Sequence, residues 1–190
     1  MLNHIGTNNI TTSRLLLRKF KKEDSKEVFE NWAKNPENVK YLGWKAHETI
    51  DETKEIVAKW VNGYNNKKVY RWCITLKDSG EVIGGIDVVD LIEKTDCCEI
   101  GYVLSKKFWN KGIMTEALNS VLEYLFQKVG FHRIQAKHNI NNPASGKVMA
   151  KCGMKKEGIL RNSEKTNSNK WCDVAIYSIL ENEFKEENDG

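Results

Sequence analysis

Apolar residues fall at positions 114, 117, 118, 121, 122, 125, 126 and 129, a continuous stripe at helical spacing, and Gly130 follows at once. The pattern predicts a helix over 114–129. A second helix is predicted over 49–64. Thr49 and Glu52 match a capping box, and Ile56, Val57, Trp60, Val61 and Tyr64 share one face. A third spans 25–34, where Val28, Phe29, Trp32 and Ala33 keep the same period and Pro36 lies just beyond. Asn142 and Pro143 open a short fourth helix, with Asn as cap and Pro at the first helical position. Val148, Met149 and Cys152 form its apolar face, and Gly153 closes it.

The remaining apolar runs read as strands: 13–20, 69–76, 82–91, 97–104, 133–138, 154–160 and 171–180. Asp78-Ser79-Gly80 is a turn that makes 69–76 and 82–91 a hairpin. In 97–104 the alternation puts Glu99, Gly101 and Val103 on one face and Ile100, Tyr102 and Leu104 on the other. The order is strand, two helices, three strands, helix, strand, helix, two strands. Three consecutive strands imply an antiparallel meander, and the strand–helix–strand piece over 97–138 implies one parallel crossover. The fold class is α/β (α+β). No repeat or Pro/Gly linker divides the chain, so 1–190 reads as one domain, with frayed tails at 1–10 and 183–190.

Composition narrows the classes. Charged residues make up 29%, and the net charge of +4 is mild. Lys and Arg are dispersed, which does not suit a nucleic-acid domain, and no DNA binding is expected. No apolar run approaches the ~20 residues of a membrane helix. The polar start over 1–9 lacks a signal-peptide core, so a cytoplasmic protein is expected. The five cysteines are odd in number and form no C-x-x-C, so they read as reduced core thiols. His132 and His138 lack ligand spacing, and no metal is expected.

The segment 99–117 carries the chemistry. A strand ends, a basic loop follows, and a long helix starts just past Gly112. The first turn of such a helix has unpaired N–H groups and the positive end of the helix dipole, which bind phosphate oxygens. Gly112 allows close backbone approach, Asn110 tolerates a left-handed conformation, and Lys106, Lys107 and Lys111 add charge. An ordinary strand-to-helix loop with solvated lysines has the same pattern.

Six pieces occur in order: Glu99-Ile100-Gly101-Tyr102, Trp109 to Ala117, Asn142-Pro143-Ala144-Ser145, Cys152-Gly153-Met154, Glu157 to Arg161, and Trp171-Cys172-Asp173. This set resembles the GNAT acetyltransferases, specifically the RimJ/RimL-type branch that acetylates protein N-terminal amines. The resemblance covers nearly the whole chain. It implies a mixed, mostly antiparallel sheet splayed between the fourth and fifth of the strands read above, with helices on both faces. It also implies acetyl-coenzyme A as co-substrate.

By that resemblance the pyrophosphate loop, Arg/Gln-x-x-Gly-x-Gly/Ala in the family, falls on Lys107-Phe108-Trp109-Asn110-Lys111-Gly112. Lys107 and Asn110 depart from it. Ile113, Met114 and Thr115 continue the site into the helix. The backbone of Tyr102, Val103 and Leu104 would pair with the pantetheine arm like an added strand. Asn142 and Ser145 would lie beside the thioester. An attacking amine must first lose a proton, for which Glu164 and Glu99 compete as general base. Backbone N–H groups near Val103 would steady the oxyanion, and Ser145 would protonate the leaving thiolate. Tyr41, Trp44 and His47 lie in the segment that lines the acceptor site in this family, Tyr41 and Trp44 being the substrate-binding candidates with Glu164.

Three readings of function follow. One is N-acetyl transfer to a primary amine: a ribosomal-protein-like N-terminus, or a polyamine or antibiotic amine. Asp51, Glu52 and Glu55 are explained as helix N-terminal charges rather than a polyamine pocket. The second is a non-catalytic acyl-coenzyme A-binding module. The third, another nucleotide, lacks its fingerprint motifs. The assembly is expected to be a monomer or homodimer.

Overall fold

The computed structural model describes residues 2–188, and side chains through residue 184. Eight strands form one sheet: β1 (Ile10–Thr11), β2 (Leu15–Arg18), β3 (Arg71–Leu76), β4 (Val82–Ile92), β5 (Cys97–Leu104), β6 (Arg133–Asn139), β7 (Lys155–Lys165) and β8 (Trp171–Leu180). Their spatial order is β1-β2-β3-β4-β5-β6-β8-β7. Neighbours are antiparallel except β5 and β6, which run parallel. The helices are α1 (Ser25–Val28), α2 (Pro36–Val39), α3 (Ile50–Gly63), α4 (Ile113–Tyr124), α5 (Pro143–Lys151) and α6 (Glu181–Asn188). Parallel strands need a crossover, and α4 supplies it between β5 and β6.

Each face of the sheet has its own core. On one face the α4 stripe of Ala117, Leu118, Val121 and Leu122 packs with Ile100, Ile134 and Ala136 of the sheet and Met149 of α5. Truncating one such buried leucine to alanine typically costs about 2–5 kcal/mol. On the other face Val28 and Trp32, from α1 and its continuation, and Val57 of α3 cover Cys73 and Val82, with Trp60 and Val103 alongside. Helices therefore lie on both faces of a mixed, mainly antiparallel sheet, as the family resemblance implies. All five cysteines are free thiols, four of them buried.

The structure departs from the sequence pattern in several places. Residues 2–9, before β1, are held on the body of the protein rather than frayed, and residue 1 lies outside the described residues. Leu2 and Ile5 pack on the larger core, Asn3 N–H donates to the Val129 carbonyl at 2.8 Å, and the Thr7 hydroxyl donates to the Val69 carbonyl at 2.9 Å. The segment ends in β1, an eighth strand too short to show a period. At the other end Glu181–Asn188 is helical, with Phe184 in the core, while 189–190 lie outside the described residues. Both α1 and α4 finish in a wider π turn, Phe29–Ala33 and Leu125–Val129. Pro36 opens α2 rather than ending α1, because Asn35 Oδ1 accepts the Glu37 N–H and caps a new turn. In α3 the Thr49 cap is present, but Glu52 accepts from Glu48 N–H, one residue before the cap. Asn142 makes no side-chain cap on α5; its carbonyl accepts the Ser145 N–H instead. β7 continues to Lys165, past a register shift between Leu160 and Glu164 where Asn162 takes a φ of 49°.

Candidate active site

The parallel pairing of β5 with β6 lasts four residues, from Cys97↔Arg133 to Ile100↔Ala136, and then stops. β5 stays paired with β4 to its end, Gly84 opposite Leu104. The sheet is therefore splayed between β5 and β6, and residues 101–104 present a bare edge. Antiparallel pairing decides which groups face the gap. Ser105 N–H donates to the Ile83 carbonyl at 2.8 Å, so by alternation Val103 also bonds to β4, and Tyr102 and Leu104 point the other way. The close approach is real: a Cβ on Gly84 would sit 2.4 Å from the Val103 carbonyl oxygen. Of the three residues expected to line the gap with backbone, Val103 is thus turned to its partner strand. The N–H groups facing the gap belong to Tyr102 and Leu104.

Beyond β5 the chain makes a tight turn at Lys106–Phe108, then takes left-handed conformations at Asn110 (φ 59°) and Gly112 (φ 72°). Gly112 is the N-cap of α4 and has no side chain to offer it. The N–H groups of Ile113, Met114 and Thr115 are those an α-helix cannot pair internally. Ile113 and Met114 bury their side chains, which leaves their backbone N–H groups as the polar groups they present at the helix start. The loop is buttressed from the turn between β1 and β2. Arg14 Nη1 donates to the Lys111 carbonyl at 2.9 Å, and Arg14 Nε meets Glu116 at 2.6 Å, where Thr12 also donates. Burial disfavours the Glu116 charge, but these hydrogen bonds outweigh it and hold its pKa below the usual carboxylate value. Of the three lysines expected to add charge, Lys106 is paired with Glu37, and Lys111 lies over the Phe108 ring. Lys107 is exposed.

Across the gap, Tyr102 reaches α5. Its hydroxyl donates to the Ser145 carbonyl and lies 3.0 Å from Ser145 Oγ. Burial pushes the phenol pKa upward against the pull of that bond, so Tyr102 stays neutral. Asn142 is anchored by its N–H to the Asn139 carbonyl at 2.7 Å. His138 packs behind α5: a Cβ on Gly146 would lie 2.5 Å from its Nε2, so a larger residue there would have to displace the imidazole.

The opposite face of the splay holds both carboxylates expected to compete as base. Glu99 Oε2 accepts from Gln135 Nε2 at 3.0 Å and lies 3.1 Å from Lys137 Nζ. The same Lys137 Nζ lies 3.2 Å from Glu164 Oε1. The Glu99 side chain is 13% exposed and that of Glu164 46%. Burial opposes the Lys137 charge, but its bonds to Glu99 and Glu164 prevail and raise its pKa. Tyr41 and Trp44 find partners within their own segment: Lys40 over the Tyr41 ring, and His47 5.3 Å from Trp44. Asn167 Nδ2, in the β7–β8 turn, donates to the Val39 carbonyl at 3.1 Å and closes this segment onto the hairpin carrying Glu164.

Sequence reasoning missed Lys137, the Arg14–Glu116 buttress, the Tyr102 hydroxyl and Asn38, whose Nδ2 donates to the Leu104 carbonyl at 2.7 Å. One local signal was there to be used: 133–138 reads as a strand, and its alternation puts Gln135 and Lys137 on one face. Among the described residues, no group of three or more His, Cys, Asp or Glu is placed to hold a metal, and no helix is long and apolar enough to cross a membrane.

A protein-family model described as an acetyltransferase (GNAT) domain matches residues 14–155. An uncharacterized N-acetyltransferase, YoaA of Bacillus subtilis, is 32% identical over 171 residues, 90% of this chain and 96% of its own. The [ribosomal protein uS5]-alanine N-acetyltransferase of Escherichia coli is 26% identical, covering 78% of this chain and 79% of its own. A solved GNAT-family acetyltransferase from Bacillus anthracis superposes with a TM-score of 0.81 at 30% identity, over 92% of this chain and 99% of that one. The chain belongs to the GNAT acetyltransferase family. It is an N-acetyltransferase, and enzymes of this family take acetyl-coenzyme A as co-substrate. The residues fit that co-substrate: left-handed Asn110 and Gly112 open a helix N-terminus to phosphate, and a bare strand edge leads away from it.

Proposed function

We propose that this enzyme acetylates a protein N-terminal α-amine, with the Glu99–Lys137–Glu164 cluster serving the acceptor side. The observation that carries the chemistry is this cluster: two carboxylates share one ammonium beside the splay, an excess of one negative charge where a cationic amine must arrive and be deprotonated. The N-terminal acceptor is supported by the activity named for the Escherichia coli relative.

Bound acetyl-coenzyme A supplies an acetyl group already activated as a thioester. In this reading the loop from Lys107 through Trp109, Asn110, Lys111 and Gly112 to Thr115 holds the pyrophosphate, mainly through backbone N–H groups. The backbone of Tyr102 pairs with the pantetheine arm, and Asn142 and Ser145 flank the thioester. Glu164 takes the amine proton through water, with Lys137 and Glu99 fixing its position. The Leu104 N–H steadies the developing oxyanion. Ser145 Oγ, oriented by the Tyr102 hydroxyl, returns a proton to the leaving thiolate. Tyr41 and Trp44 line the acceptor entrance.

Thiol release from acetyl-coenzyme A with a panel of amines tests this. Short peptides with free N-termini are expected to turn over best. Preference for polyamines or aminated antibiotics would replace the acceptor. Tight acetyl-coenzyme A binding without turnover on any amine would leave a binding module.

A further inference from the structure

Asn38 Oδ1 is, among the described residues, a buried side-chain oxygen with no hydrogen-bond partner. Asn38 is 8% exposed, and proteins seldom close over such an acceptor without satisfying it. Its neighbours fix its orientation. Nδ2 donates to the Leu104 carbonyl, so the amide nitrogen is at that end and Oδ1 is the free end. The Leu104 carbonyl points into the gap that opens where β5 leaves β6. It also accepts from Trp109 Nε1 at 2.8 Å. Two donors use both lone pairs of that carbonyl, so it has none left for a ligand lying along the strand. The carboxamide that occupies one lone pair presents an acceptor of its own beside it.

The position is held rigidly. Asn35 caps α2, the Val39 side chain is buried and its carbonyl accepts from Asn167, and Glu37 pairs with Lys106 at the start of the loop. An oxygen fixed in this way, at the Leu104 end of the bare edge, is suited to a ligand N–H. The arm of the acetyl donor brings two amide N–H groups along this edge.

We infer that Asn38 is a positioning residue for the acetyl donor: its Oδ1 accepts a pantetheine amide N–H in place of the Leu104 carbonyl. This rests on the reading that the pantetheine arm lies along β5. Calorimetric titration of the full chain with coenzyme A, and with two analogues in which one or the other pantetheine amide N–H is replaced by an ester oxygen, tests it. One analogue is expected to bind the native protein about fivefold more weakly. Asn38→Ala is expected to lose a similar factor toward coenzyme A, and to show no further loss with that analogue. Asn38→Asp keeps the acceptor and is expected to keep its sensitivity to the analogue. Losses that multiply in Asn38→Ala, or native binding that is indifferent to both analogues, would overturn the inference. The native comparison stands even if the alanine variant does not fold. Failure of the native protein to bind coenzyme A at all would instead overturn the placement of the arm.

Discussion

On the side proposed to hold the donor, the groups that face a ligand are peptide groups: the first-turn N–H groups of α4 and the backbone of Tyr102 and Leu104. On the side proposed to receive the amine they are side chains: Glu99, Gln135, Lys137 and Glu164, drawn from β5, β6 and β7. A backbone site needs a conformation more than an identity. Lys107 and Asn110 can therefore depart from the family loop while φ at Asn110 and Gly112 stays left-handed. A side-chain site has no such slack, because each charge is balanced by a particular partner. Changes on the first side should therefore act on affinity for acetyl-coenzyme A, and changes on the second on turnover and its pH dependence.

The largest effect is expected from Glu164→Gln. Turnover should fall about 100-fold at neutral pH and recover as the pH passes the acceptor amine's own pKa, with KM for acetyl-coenzyme A unchanged. The sign follows from the amine: once it is deprotonated in solution, no base is needed. A pH–rate profile parallel to the native one would remove Glu164 from the role. Ser145→Ala should lower kcat about 30-fold with little change in donor affinity, and Tyr102→Phe should lower it less, in the same sense. Equal losses in kcat/KM through KM alone would make Ser145 a binding residue. Gly112→Val forces a β-branched residue to a φ of 72°, where the strain of about 1–2 kcal/mol should weaken coenzyme A binding roughly tenfold and spare kcat. Calorimetry alongside a melting curve separates this from general unfolding. The smallest effect belongs to Lys107→Ala, about threefold in KM for acetyl-coenzyme A and fading at high salt. A large, salt-insensitive loss there would mean that the donor side depends on side chains after all.

The parts of this molecule legible in the sequence are those with local causes. The α4 stripe, the α3 cap and the alternation in β5 each announce themselves within a few residues, and the loop from Lys107 to Gly112 carries its own turn chemistry. What was not legible depends on register. Lys137 meets Glu99 only because β6 pairs with β5 in parallel at Glu99↔Gln135, and meets Glu164 only because β7 runs on past its register shift. Asn38 is one polar residue in a four-residue helix, and nothing local says that its carboxamide reaches a carbonyl 66 residues away. The Arg14–Glu116 buttress spans 102 residues in the same way. The N-terminal segment looked like a tail because its hold comes from Val69, just before β3, and Val129, where α4's final turn ends, both far along the chain.

The gap between β5 and β6 has a consequence for how this protein behaves among its own copies. A strand with an open edge is an invitation to a foreign strand, and such edges are a common origin of aggregation. Here the open stretch is confined to residues 101–104, shorter than a typical strand of about 5–6 residues. One of its carbonyls is already engaged by Asn38 and Trp109. A sheet can thus keep a permanent opening at its centre that is too short to seat another polypeptide. Whatever lies there completes the sheet, so the protein purified without its donor should melt at a lower temperature than the same protein saturated with it.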